Sequence, residues 1–526
     1  MRELSPGGVG RPPVTRDGRR ANGSRALGAA GCLTCVAWAL ATPPLAAQGA
    51  RVTGVTVARY IEIRPFVTDS VPRSTVVDSV GTLYRTADGL IVGCEGGRAY
   101  CSYMRSDDAL ATIPITQDVQ ASAWGFGEGI SMYAHVRLRT AVGESGAARE
   151  LWPRADDELD PLAAYVEMDR SRFRGRVGRQ WVTSGLGFYN FDGVSLLYRP
   201  WNAVSVDAYG GWSLARGLHE PHTGGAIAAV EDIVPDERAY IVGLEARVRP
   251  ERRWAAGLLY QREIMTTREA LYTERVAIDA HLLFPRGGLD IQLESDLATG
   301  DVNDLWLRGN LGLTESLGLR ADLRRYEPFF ELWTIWGAFD PGGFDEARLA
   351  AHWRTGSPLE ATIAGAYRRY HETNAGVQSL SLRDDGWRVA ADAAWRPRPR
   401  WITHGSVAVD LGFGATRTDA DLGLRWEGAR ADVGARVTAF QSVFELRVGT
   451  GRVVGAGLDG AVRLRDDLRV IADLALYRHA DRHHDSGGPT LADWSQLRGA
   501  LRVQWTVGRD PGMPVDSGSE RRERPR

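Results

Sequence analysis

The sequence predicts an all-β fold: a single transmembrane antiparallel β-barrel of about 18 to 22 strands, preceded by a cleaved signal peptide. Three observations predict it. Apolar and polar residues alternate with a period of two over long segments. Turn-rich breaks separate those segments. The chain opens with the three-part order of an export signal.

Alternation puts one set of side chains on each face of a strand. Leu317, Leu319, Ala321 and Leu323 alternate with Gly318, Arg320, Asp322 and Arg324. Leu289, Ile291 and Leu293 alternate with Asp290, Gln292 and Glu294, and Val242, Leu244, Ala246 and Val248 with Gly243, Glu245, Arg247 and Arg249. Near the end Leu501, Val503, Trp505 and Val507 alternate with Arg502, Gln504 and Thr506.

A soluble sandwich and a membrane barrel both alternate; they differ in which face is wet. The length of the strands favours the barrel, because a tilted crossing needs about ten residues. So do the breaks at Pro250-Glu251-Arg252, Pro285-Arg286-Gly287-Gly288 and Pro397-Arg398-Pro399-Arg400. Aromatic residues near strand ends (Trp201, Tyr260, Tyr326, Trp353, Trp395, Trp426) suit interfacial girdles. A propeller would show a repeat of about 40–50 residues, and none is present.

The expected strands are 53–66, 115–124, 130–140, 162–169, 172–180, 194–199, 203–212, 237–248, 252–261, 271–283 and 287–298. They continue at 302–313, 315–326, 345–354, 358–370, 385–396, 401–411, 415–426, 430–448, 452–465, 468–478 and 497–508. These are 22 segments with soft boundaries.

Residues 1–48 read as the signal peptide: arginines 11, 16, 19, 20 and 25, an apolar run from Ala26 to Leu40, then small residues to Ala50. Neither Cys32 as a lipidation site nor Arg19-Arg20 as a twin-arginine signal has the right neighbours. Residues 49–508 form the barrel, interrupted at 67–112 by a long insert, and 509–526 is a polar, proline-bearing tail expected to be disordered. Many membrane barrels end on an aromatic residue; here the nearest is Trp505.

Processing would leave Cys94 and Cys101, separated by six residues, as one local disulfide. All 64 basic residues are arginine. Removing residues 1–47 takes away six arginines and two acids, leaving 58 basic against 64 acidic residues, a balance of −6. Neither sign argues for nucleic acid as a partner. The partners expected are outer-membrane lipid, small polar solutes and other copies of the chain in a homo-oligomer.

The stretch Arg176-Val177-Gly178-Arg179-Gln180, followed by Gly185 and then Phe191-Asp192-Gly193-Val194, resembles a recurring element of the alginate-export and related porin-like barrels. In that element a strand ending in G-R-Q precedes a short loop and a strand start of the F-D-G-V type. The likeness covers roughly twenty residues. It implies a lumen-facing Arg179 and an outer-membrane channel, and does not imply alginate as the solute.

Arg137, Arg139, Arg172, Arg174, Arg176 and Arg179, with Arg320 and Arg324, are expected to line a pore. Unpaired, such a ladder would attract anions; paired with Glu167, Asp169, Asp290 or Asp322, it would only solvate the wall. The chain reads as a passive outer-membrane channel for polar or anionic small solutes, saccharides among them. The alternatives are a barrel plugged by residues 67–112 with a structural or adhesive role, and an outer-membrane hydrolase.

No cofactor, metal or catalytic residue is expected. His135 and the Asp279/His281 pair sit on polar strand faces without a serine signature, and Gly-x-Ser-x-Gly is absent. His479, His483 and His484 with Asp481 and Asp485 read as a solvated loop rather than a metal site. The aromatic group Phe329, Phe330, Trp333, Trp336 and Phe339 reads as an anchor or rim packing rather than a sugar-stacking surface.

Overall fold

The computed structural model describes residues 49–508 except 65, 81–82, 88–89, 95, 144–158, 215–238, 252, 266–270, 328–342, 355–357, 372–384, 413–414, 442–448 and 484–492. The expected signal peptide, the tail, the aromatic group at 329–339, His484 and Asp485 lie outside the described residues.

Twenty-two strands form one closed antiparallel ring. It opens with β1 (Gly49–Ile63); five short strands, β2 to β6, follow outside the ring, and it resumes at β7 (Leu110–Trp124), β8 (Ile130–Gly143), β9 (Leu159–Asp169) and β10 (Phe173–Ser184). Next come β11 (Gly187–Trp201), β12 (Val204–Ser213), β13 (Ala239–Glu251), β14 (Trp254–Met265), β15 (Leu271–Phe284) and β16 (Gly287–Asp296). Then follow β17 (Asp301–Gly312), β18 (Leu317–Tyr326), β19 (Phe344–Arg354), β20 (Leu359–Tyr370), β21 (Asp385–Arg398) and β22 (Trp401–Gly412). The last are β23 (Ala415–Glu427), β24 (Ala431–Phe440), β25 (Gly449–Arg465), β26 (Leu468–His483) and β27 (Trp494–Gly508).

Each strand pairs with its neighbour in sequence, and the ring closes where β1 pairs β27 from Arg51↔Gly508 to Ile61↔Arg498. Closure joins the first and last strands, as a strand structure in hydrocarbon requires. Among the described residues no helix is long and apolar enough to cross a membrane; the crossing is made by strands.

The connections divide by end. On the end where β1 starts and β27 finishes they are short, as at 202–203, 285–286, 399–400 and 466–467. The opposite end carries the long ones: 64–109, 144–158, 214–238, 327–343 and 371–384. This is the periplasmic-turn, extracellular-loop asymmetry of outer-membrane barrels.

The expected strands fall on observed ones, with instructive differences at their ends. The first runs 49–63 rather than 53–66. The segment expected as one strand at 430–448 ends at Phe440, and the next starts at Gly449. β26 extends to His483, so His479 and His483 lie on a strand instead of in a loop, and His479 stacks on Trp494 at 4.7 Å. Residues 181–193, left between strands by the sequence reading, belong to β10 and β11 apart from a turn at 185–186.

The stretch read as a long insert holds its own small sheet. Strands β2 (Phe66–Pro72), β3 (Val76–Val80), β4 (Leu83–Thr86), β5 (Ile91–Gly93) and β6 (Tyr100–Ser106) pair in the order β2-β6-β5-β4-β3. Among the described residues none of them pairs with the ring. Cys94 and Cys101 are bonded, and Cys101, Val92 and Thr86 are all buried. Arg64 Nε donates to the Asp107 carbonyl at 2.8 Å across the neck of the insert.

Candidate functional site

The outer surface is apolar. Val194, Leu196, Val242, Leu244, Leu258, Ile278, Leu323, Ile363, Val389, Val407, Leu422, Leu458 and Leu501 are exposed there. Exposed Trp201, Trp254, Phe284, Trp353, Trp395 and Trp401 gather at the short-turn end, and Trp212, Tyr240, Tyr367 and Trp387 at the loop end. Two aromatic girdles therefore flank an apolar belt, as amphipathic rings favour the two water–lipid boundaries. The chain is a bacterial outer-membrane β-barrel.

The opposite phase of each strand lines the lumen and is charged. Its arginines are largely paired with acids on neighbouring strands. Arg137 donates to Asp118 at 2.8 Å, Arg139 to Asp160 at 3.0 Å and Arg176 to Glu167 at 2.5 Å. Arg308 and Arg320 both donate to Asp322 at 2.9 Å, and Arg324 to Asp304 at 2.9 Å. Farther round, Arg368 pairs Glu346, Arg388 pairs Asp410 at 3.2 Å, and Arg425 pairs Asp432 and Asp459. His135 is held by Asp118 at 3.3 Å, and His281 pairs Asp290 rather than the Asp279 read beside it.

Of the expected pore-lining arginines, Arg137, Arg139, Arg174, Arg176, Arg320 and Arg324 take the inward phase. Arg172 does not; it lies exposed in the turn between β9 and β10. Arg179 also departs from expectation. It shares the outward phase with exposed Val177, and it pairs with outward-facing Asp192 at 2.8 Å. Tyr326, expected in a girdle, turns inward beside Phe344, with their ring centroids 5.4 Å apart.

The sequence reading missed the most consequential feature of the lumen. Beyond Arg179, β10 loses its pairing with β9, and before Phe191, β11 loses its register with β12. The two strands continue as a hairpin whose tip lies against the inner wall. There the Leu186 carbonyl accepts from Arg275 Nη2 at 2.9 Å, and the Gly185 carbonyl from Gln292 Nε2 at 3.5 Å. Those donors stand on β15 and β16. The hairpin has crossed four strand spacings, roughly 19 Å along the wall.

Glycines permit the bend. A Cβ at Gly178, whose φ is +128°, would stand 2.2 Å from the Ala164 carbonyl oxygen. One at Gly193, its partner in the ladder, would stand 2.1 Å from the Gly210 carbonyl oxygen. Only a residue without a side chain allows backbones so close. Both glycines belong to the element that resembles the porin-like barrels.

Under the hairpin the inner wall is dry. Leu186, Tyr189 and Phe191 pack on Tyr209 of β12, Ile241 of β13, Leu259 of β14 and Ala277 of β15, with Val182 at the margin. Phe191 and Ile241 are wholly buried, and Phe191 stacks on Tyr209 at 5.6 Å. A signal for this was present. Tyr240-Ile241-Val242, Leu258-Leu259-Tyr260 and Val276-Ala277-Ile278 each break the alternation with an apolar residue on the wet phase. A buried residue there needs something to cover it from the inside. At the base of the hairpin a recess of about 40 Å³ is lined by Arg174, Arg176, Gln180, Trp181, Ser195 and Asp207, among others.

No family model matches the chain, and no curated protein matches it. Solved structures do. OccAB2 of Acinetobacter baumannii is 8% identical, with 88% of this chain and 98% of that chain covered and a TM-score of 0.36. A mutant ferric enterobactin receptor of Pseudomonas aeruginosa is 10% identical over 86% and 80% of the two chains, with a TM-score of 0.45. The anion-selective porin of Comamonas acidovorans is 12% identical over 58% and 96%, with a TM-score of 0.31. Likeness this faint adds no argument about activity; the fold rests on the closed ring itself.

Proposed function

We propose that this barrel is a passive outer-membrane channel for small polar solutes, saccharides among them, with weak charge selectivity. The observation that carries this reading is the charged inner wall behind an apolar outer one. A 22-stranded ring encloses more space than its own side chains fill. An inward lining of arginine–carboxylate pairs keeps that space wet. Pairing also cancels most of the positive field that an unpaired ladder would give, so any preference for anions is small. The hairpin narrows the passage on the side of β12 to β15 and sets an upper size.

Purified protein in planar bilayers tests the proposal. Discrete conductance steps are expected, with a reversal potential in a salt gradient near zero or slightly on the anion side. A potential close to the cation limit would contradict the weak-selectivity claim. Absence of any step would leave a structural or adhesive role for the barrel.

A further inference from the structure

We infer that Arg275 is a positioning residue that fixes the aperture by latching the tip of the β10–β11 hairpin to the wall. This inference rests on the channel reading above.

Arg275 is placed to tie three things together. Its side chain is 5% exposed. Nη1 donates to Glu294 on β16 at 2.6 Å, and Nη2 to the Leu186 carbonyl at the hairpin turn. Its guanidinium also lies 5.6 Å from the ring centre of Tyr189, a hairpin residue. The Leu186 carbonyl further accepts from the Tyr189 hydroxyl at 3.1 Å, so the turn and the latch share one acceptor.

Burying a guanidinium is unfavourable unless its charge is met and its donors are used. Glu294 meets the charge, and the hairpin turn uses a donor. The arginine is therefore secured to the wall by Glu294, and the hairpin in turn to the arginine. A charge-assisted bond to a backbone carbonyl is stronger than a neutral one and more directional than the apolar packing beside it. The packing pulls the hairpin inward, and Arg275 fixes where its tip stops. The arginines of the paired belt only line the space that this tip leaves open.

The geometry supplies a direct test. A Cβ at Gly185 would lie 3.6 Å from the Ala277 Cβ, within the range of about 3.5–4.5 Å that a disulfide spans. Conductance is measured in the presence of polyethylene glycols of graded radius, for the full barrel with and without the Gly185→Cys/Ala277→Cys crosslink. Arg275→Ala is expected to raise conductance about two-fold or more and to admit larger polymers. Oxidising the crosslink in that same variant should restore the original size limit, an outcome that general damage to the wall would not give. Arg275→Gln, which keeps a shorter side chain with an amide donor but loses the charge, serves if the alanine variant does not fold; it should fall between the two.

An unchanged size limit without Arg275 overturns the latch and leaves the channel standing. So does an enlarged limit that the crosslink does not reverse. Absence of conductance in both the native protein and the variants overturns latch and channel together.

Discussion

Arg179 and Asp192 form an ion pair, 2.8 Å between Nε and Oδ1, on the outward face of the barrel. Asp192 stands opposite Trp212 in the ladder, and Trp212 packs beside Tyr240 in the girdle at the loop end. Charges at this height reach the polar headgroups, and Arg179 also donates to the Pro161 carbonyl at 2.8 Å. Asp192→Ala should therefore cost only about 1 kcal/mol, the scale for an arginine near the interface. Equilibrium unfolding from lipid vesicles measures it; a loss several times larger would place the pair deeper in the hydrocarbon.

Neighbouring residues on β22 test the orientation of the whole wall. Val407 is exposed to the outside, and Ser406 faces the lumen. Val407→Arg should destabilise the barrel by about 2–4 kcal/mol, the cost of an arginine at the bilayer midplane. Ser406→Arg should change stability little. The same unfolding assay decides, and equal costs would refute the assignment of faces.

Phe191 has no exposed surface and is the largest apolar anchor of the hairpin. Truncation to alanine should weaken docking by about 3–5 kcal/mol. Ala277 lies beneath the hairpin and is 4% exposed. Modification of Ala277→Cys by a water-soluble thiol reagent should accelerate by about two orders of magnitude or more when Phe191→Ala is added. An unchanged rate would show that the hairpin does not depend on this ring.

The bend itself should fail without its glycines. Gly178→Ala sets a side chain against the Ala164 carbonyl oxygen at a positive φ, so backbone must shift. The expected result is a loss of disulfide yield between cysteines introduced at Gly185 and Ala277, in barrels that still migrate as folded on unheated gels. Full yield would mean that the hairpin reaches the wall by another route.

In the small sheet of the insert, Arg105 donates to Asp69 at 2.8 Å and holds that carboxyl below the ordinary carboxylate range. The sign follows. A depressed value in the folded state stabilises the sheet above the unfolded value of about 3.9. That contribution fades as pH falls through the folded value. Both side chains are more than two-fifths exposed, so salt should weaken the effect. Carboxyl-carbon NMR titration of Asp69 should show its midpoint rising in Arg105→Gln; an unmoved midpoint would assign the shift elsewhere.

Much of this architecture was legible before any coordinates. Alternation fixes which residues share a face, so Leu317 and Leu319 had to part from Arg320 and Arg324, whatever the fold. Turn residues such as Pro285-Arg286 and Pro397–Arg400 marked where strands end. The pairing of Cys94 with Cys101 was local enough to read directly. Arg179 was misread because its motif marks a bend rather than a lining residue, and Arg172 because a strand boundary fell one residue later.

What sequence periodicity determined was the segregation of side chains into two faces and the approximate place of each strand. Both follow from the two-residue repeat of extended backbone, which is a local property. Tertiary structure alone decided that the 22 segments close into one ring, that many of the inward arginines meet acids on other strands, and that one hairpin leaves the wall to meet Arg275. Leu186 and Arg275 are 89 residues apart in the chain. Their meeting depends on curvature and closure of the barrel, and no local pattern encodes the distance between them.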